Sequence, residues 1–130
     1  MATNYRGGSA HPKSTIVNAA APRTSGQAVV EQGIAGFAAT SAAAGAKYAL
    51  WHSQGEFEVP FITGAIKGAR VIINGTSFAL TQQAPGGAAP TSPNAVLGIV
   101  TAVPGDGPDS NPNKEPLAGK MWVELVPTGL

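Results

Sequence analysis

Cysteine is absent from this chain of 130 residues. Disulfides, thiolate nucleophiles and zinc–thiolate centres are therefore excluded, and the fold has to stand on packing alone. Charge is scarce as well. Asp, Glu, Lys and Arg make up 12% of the residues, about half the share usual in soluble proteins. The eight basic residues are scattered singly and the formal net charge is +1, which argues against gripping phosphate backbones, so no nucleic-acid partner is expected. Two histidines, neither in a ligand spacing, are too few for a metal centre, and neither metal nor cofactor is expected. No charge occurs between Val71 and Gly105, yet Asn74, Gln82, Gln83 and several prolines interrupt that stretch and rule out a spanning helix. Met1–Gly8 lacks the apolar core of a secretory leader, so neither export nor a membrane partner is expected.

What remains is apolar and rich in turns. Hydrophobic residues reach 43%, with 17 Gly and 11 Pro, enough for one domain with a core and not for two. Two stretches follow one plan: Gly26-Gln27-Ala28-Val29-Val30-Glu31-Gln32-Gly33 and Gly68-Ala69-Arg70-Val71-Ile72-Ile73-Asn74-Gly75. In each, a β-branched run meets a Gln-Gly or Asn-Gly pair suited to a two-residue hairpin turn. Ile34–Ala38 and Thr76–Leu80 supply the returning strands, each with one Phe. The likeness fits either a duplicated unit or two hairpins obeying common rules.

The other segments are read by alternation. Residues 1–25 are Gly, Pro, Ser and Asn rich and read as an extended N-terminal arm, with only Ser14–Val17 resembling a strand; residues 26–130 read as the β-rich domain. Lys47–Trp51 and Glu56–Val59 alternate as half-buried strands, with Glu56 and Glu58 opposite Phe57 and Val59. The Ala-rich 39–46 is too short for a stable helix and reads as a compact loop. Gln83–Asn94 holds prolines that cannot donate to a ladder and reads as a surface loop; Pro104–Asn113 reads as a second. Ala95–Val103 and Lys120–Val126 close the list of strands. In the last, Met121, Val123 and Leu125 share one face, so Trp122, on the other, is expected to be less buried than its size suggests. The fold class is all-β: a small β-barrel or β-sandwich of short antiparallel strands with long Pro/Gly-rich loops. Strands at both ends of the list favour a closed or nearly closed barrel.

Motifs for chemistry fail on inspection. Gly7–Ser14 has the spacing of a phosphate-binding loop, but Pro12 stands where the second glycine must let amides close on phosphate, and no helix pattern follows. Glu56 and Glu58, about 7 Å apart by strand rise, could form a carboxylate pair for sugar hydrolysis, but exposed strand faces show the same alternation. His11 and His52 lack an acidic partner at a triad spacing. Asp106 and Asp109 flank Gly107-Pro108 and read as turn formers rather than calcium ligands. No catalytic residue is expected.

Taken in order, Met1–Tyr5, Thr24–Val30, Gly36–Gly45, Gly55–Pro60, Gly68–Val71, Val96–Val100 and Val123–Leu125 resemble the capsid cement, or head decoration, proteins of tailed bacteriophages. The resemblance implies a β-rich structural protein, not an enzyme, made in the host cytoplasm. It would bind the outer surface of the expanded head and bridge subunits of its partner, the major capsid protein. It also implies a homo-oligomer, with a trimer preferred over a monomer. Under it, Asn4, Tyr5, Arg6 and Lys13 of the arm are the expected capsid contacts, because aromatic and Arg side chains are favoured at interface centres. The alternative is a carbohydrate- or host-surface-binding β-module using Trp51, Tyr48 and His52 as a stacking site.

Overall fold

The computed structural model describes residues 4–7, 12–105 and 116–127, leaving aside the side chain of Arg6. Among these residues there is no helix. The strands are β1 (Tyr5–Gly7), β2 (Lys13–Asn18), β3 (Ala28–Glu31), β4 (Ile34–Ala38) and β5 (Lys47–Ser53), followed by β6 (Glu56–Pro60), β7 (Arg70–Ile73), β8 (Leu80–Gln83), β9 (Ala95–Ala102) and β10 (Lys120–Leu125). They form two antiparallel sheets, ordered β1-β6-β10-β9-β7-β8 and β2-β5-β4-β3. The all-β class holds. The closed barrel does not: β1 and β10 flank β6 rather than each other, and no described ladder joins the two sheets. The arrangement is that of a small β-sandwich, with one core drawn from both sheets.

That core follows from alternation except in β9, where register shifts in both flanking ladders bring Leu97 and Val100, three residues apart, to the same side. Phe57 and Val59 of β6, Val71 and Ile73 of β7, Leu97 and Val100 of β9, and Met121, Val123 and Leu125 of β10 meet Ala35 and Phe37 of β4. Phe37 stacks on Phe57 with ring centroids 4.4 Å apart. A second cluster lies on the other face of the four-stranded sheet, where Val17, Val29, Ala38, Tyr48 and Leu50 pack with Ala19. The inner strands β3, β4 and β5 of this sheet are thus covered on both faces, while the edge strand β2 leaves Lys13 and Ile16 exposed.

The joint between the sheets is a corner. β5 and β6 do not pair; the chain turns at Gln54 (φ 62°) and Gly55 (φ 84°) and continues from one sheet into the other. The corner is fixed by Gln54 N–H donating to the Leu125 carbonyl (3.2 Å) and Leu125 N–H donating to that of Gly55 (3.0 Å). Gly55 is needed twice, for its positive φ and because a Cβ there would press on Pro12 and Tyr5. In its described parts the N-terminal segment runs antiparallel beside this bent strand: Asn18 opposite Lys47, Ser14 opposite Trp51, Tyr5 opposite Phe57. The extended arm read over 1–25 supplies, in its described parts, an edge strand of each sheet and a connecting loop.

The first hairpin turns as expected, with Gln32 (φ 52°) and Gly33 (φ 80°) closing the Glu31–Ile34 pair. The second departs from expectation. Ile73 pairs with Leu80, leaving Asn74–Ala79 as a longer loop. The Asn74 side chain is the cause: its Oδ1 accepts from Thr76 N–H (2.8 Å) and Ser77 N–H (2.9 Å), an Asx turn that competes with the two-residue hairpin. Trp122 also departs. It is 7% exposed rather than open, because its ring lies along the outer face with Nε1 donating to Glu58 (3.1 Å). The loop 84–94 carries the chain from β8 to β9 past β7, held by Arg70 Nη1, which donates to Gln83 Oε1 (3.1 Å) and the Gly87 carbonyl (2.9 Å). The expected compact loop over 39–46 is present, with a Gly45 turn and a bridge from Ala42 to Arg23.

Gly36 packs so closely under β5 that a Cβ would overlap the Trp51 carbonyl. Replacing it should therefore strain the sheet rather than fill space. Gly36→Ala is expected to lower the unfolding free energy by about 1–3 kcal/mol, read from urea titration by tryptophan fluorescence; an unchanged midpoint would show that the strands can separate freely there.

Candidate functional site

The residues expected to contact a partner are distributed unevenly. Lys13 is exposed at the start of β2. Tyr5 turns inward, its ring 5.4 Å from Trp51 and 5.3 Å from Phe57 between centroids, so it anchors β1 to the core. Asn4 Nδ2 donates to the Gly26 carbonyl (3.1 Å), while the Asn4 carbonyl accepts from Glu58 N–H (2.8 Å). Arg6 lies within β1 and its side chain falls outside the described residues. The four are therefore not one exposed patch.

Strand alternation separates the three residues of the stacking-site alternative. Trp51 shares a face with Phe37 and packs on the main core, whereas Tyr48 is buried in the second cluster on the opposite face, the side to which His52 belongs. No stacking platform forms from them. Lys13-Ser14, the end of the phosphate-loop-like sequence, opens a strand rather than a helix, which removes the ring of amides that such a loop requires. His11, Asp106 and Asp109 lie outside the described residues.

Glu56 and Glu58 do share the outer face of the larger sheet, and Glu124 of β10 stands directly opposite Glu56. Glu56 accepts from the Thr101 hydroxyl (2.6 Å) and Glu58 from Trp122. Both carboxylates are thus held by neutral donors on a sheet face. Among the described residues no group of three or more His, Cys, Asp or Glu could hold a metal ion.

The buried polar centre lies elsewhere. Glu31 follows Val29 in the alternation of β3, so its carboxylate enters the second cluster, where it is 3% exposed. Arg23 meets it with Nε 2.8 Å from Oε1 and Nη2 3.2 Å from Oε2, Tyr48 donates its hydroxyl to Oε1 (2.8 Å), and Ala20 N–H donates to Oε2 (3.2 Å). The Arg23 guanidinium lies 5.0 Å from the centre of the Phe78 ring. Burial pushes the Glu31 carboxyl up, but the hydrogen bonds from Arg23, Tyr48 and Ala20 and the charge of Arg23 outweigh it and hold it below its ordinary value. Hydrogen bonding to Glu31 raises Arg23 against the opposing effect of burial, and burial followed by Glu31 pushes the Tyr48 phenol up. The centre is structural: it is closed and fully paired. Its sequence signal is an acid placed in register with Val29, legible only once the outer face of that sheet is known to be covered.

The exposed large apolar side chains among the described residues are Ile16, Phe61, Ile66 and Leu117. Phe61 meets the turn that carries Leu117 at one end of the larger sheet: Phe61 N–H donates to the Gly119 carbonyl (2.9 Å) and Lys120 N–H to that of Leu117 (3.0 Å). Ile66 belongs to the same end, on the loop pinned to β8 through Gln82 Oε1 (2.9 Å). A separate cleft of about 480 Å³ is bounded by Val30, Gly33, Gly75, Pro93 and Val96 and contains no charged side chain.

No protein-family model, curated protein or solved structure matches this chain.

Because the folded value of Glu31 is depressed, its contribution to stability is complete above the unfolded carboxylate value, about 4.3, and is lost as pH falls through the folded value. Glu31→Gln, which leaves Arg23 buried without its counter-charge, should lose about 3–5 kcal/mol at neutral pH. The gap between wild type and variant should narrow in acid. Urea midpoints measured from pH 7 down to pH 3 test this; a gap independent of pH would show that Glu31 is not ionised in the fold.

Proposed function

We propose that this protein is a capsid cement protein of a tailed bacteriophage, binding the outer surface of the expanded head and bridging major capsid protein subunits. The observation that carries this reading is the order and spacing of the segments resembling that family. Those segments correspond to β3, to β4 with its Ala-rich loop, and to the Gly55 corner with β6. A weakly charged two-sheet domain suits a structural role.

Bridging requires at least two contact regions. One is the β1–β2 side, where Lys13 is exposed and Gly7 pairs with Glu56. The other is the Phe61–Leu117 end, beyond Pro60. The length of β6 separates them by roughly 13–17 Å, so one molecule can reach across a seam. Asn4 and Tyr5 serve this surface indirectly by fixing β1. A trimer would multiply such contacts, and tethered contacts gain from effective concentration rather than from area.

Purified protein titrated onto expanded, undecorated heads should bind saturably and raise the temperature at which light scattering reports their breakdown. Phe61→Ser or Leu117→Asp should weaken binding roughly tenfold each, as expected for an anchor worth about 1–2 kcal/mol, with the fold intact by circular dichroism. Absence of binding to cognate heads would overturn the reading.

A further inference from the structure

Asn74-Gly75 is a sequence prone to spontaneous conversion, because glycine puts no side chain in the way of its own backbone nitrogen. In that reaction the Gly75 nitrogen, giving its proton to solvent base, bonds to Cγ of Asn74. The Cγ–Nδ2 bond breaks, ammonia leaves with a proton from water, and a cyclic imide remains. Water then opens the ring at either carbonyl, giving aspartate or isoaspartate; nothing is oxidised or reduced. The ring closes only if the Asn74 carboxamide can swing onto a free Gly75 nitrogen.

The fold restrains every group involved. Asn74 Oδ1 is held forward by Thr76 and Ser77 N–H, Asn74 N–H donates to the Ala79 carbonyl (2.9 Å), and the Asn74 carbonyl accepts from Phe78 N–H (2.9 Å). The attacking nitrogen is engaged too, since Gly75 N–H donates to Asn94 Oδ1 (3.4 Å). Gly75 lies against the Pro93 carbonyl so closely that no Cβ would fit, and Asn94 is itself fixed by donating its N–H to the Thr91 carbonyl (3.0 Å). The loop that carries Asn94 also forms a wall of the uncharged cleft beside Gly33 and Val30.

We propose that Asn74-Gly75 is a latent self-modification site, held closed by Asn94 and converted to isoaspartate when the loop carrying Pro93 and Asn94 lifts away. Conversion places a negative charge and an extra backbone methylene where the Asx turn stood, so a lifted loop cannot reseat and the change is one-way. The reading is independent of any role on a capsid.

The test is incubation of the whole protein in mildly alkaline buffer, followed by proteolysis and mass-spectrometric localisation of deamidation at Asn74. Denaturing urea supplies the reference rate for the same chain. The native protein should convert at least about tenfold more slowly than the denatured one, the factor a modest local opening free energy imposes. Asn94→Ala should speed native conversion several-fold without altering the rate in urea. Asn94→Asp keeps an acceptor for Gly75 N–H and should remain slow, which separates loss of that hydrogen bond from general destabilisation. A native rate equal to the denatured one, or an Asn94→Ala rate as slow as wild type, would overturn the proposal.

Discussion

The bend at Gln54-Gly55 is the constraint on which the rest of the molecule depends. A single strand path, 47–60, serves both sheets only because two successive residues take positive φ, and only a glycine in the second position leaves room for Pro12 and Tyr5 to pass. Once the path is bent, the N-terminal segment has a ladder to follow on both sides of the corner, which turns an arm without hydrophobic periodicity into two edge strands. The same bend delivers Trp51 and Phe57 to the place where Tyr5 and Phe37 meet them, so the aromatic cluster is a consequence of the corner rather than an independent nucleus. Leu125 closes the arrangement by bonding the corner from the last strand.

The four-stranded sheet raises a second demand, because its outer face is also covered and polar groups there must be paired. The loop over 19–25 brings Arg23 and the Ala20 amide down onto Glu31, and Tyr48 completes the set. Replacing such a buried pair by apolar groups is often neutral or stabilising, whereas removing one member leaves an uncompensated charge. The network thus contributes mainly by fixing where the loop sits. Gln32 adds to this by accepting from Asn18 N–H (2.8 Å), so that side chains of the β3–β4 turn bridge to the end of β2 without a backbone ladder.

Much of the fold was legible in the residues themselves. Alternation located β5 and placed β6 and β10 with their inward residues, Gln32-Gly33 announced its turn, and the prolines of 84–94 marked a loop; that β5 is packed on both faces was not visible in it. What could not be read depends on partners distant in sequence. The short β1 has no periodicity of its own; it is a strand because β6 offers an edge. Trp122 is buried because Glu58, 64 positions away, accepts from its indole. Asn74-Gly75 promised a tight turn, but an Asn that can bond two following amides has a competing local choice, and sequence does not say which prevails. The candidate contacts suffered most: Tyr5 is the kind of residue that anchors an interface, and the same aromatic surface makes it a good core residue when a neighbouring strand draws it in.

That inversion bears on how a cement role would work. A flexible arm that orders on binding loses conformational entropy at the moment of contact, and part of the interface free energy is spent offsetting it. Here the described N-terminal strands are ordered against β5 and β6 before any partner arrives, so Lys13 is presented on a fixed edge and little remains to be ordered there. A scarcity of charge then favours contacts made by packing, such as those open to Phe61 and Leu117, over ion pairs that salt would screen. In such a role, rigid presentation and uncharged contacts would give modest affinity at each point, and bridging would supply the rest. Two points held at a set separation reinforce each other only where the lattice offers both at that spacing, so a domain of this build would discriminate an expanded head from free subunits by geometry rather than by strength of contact.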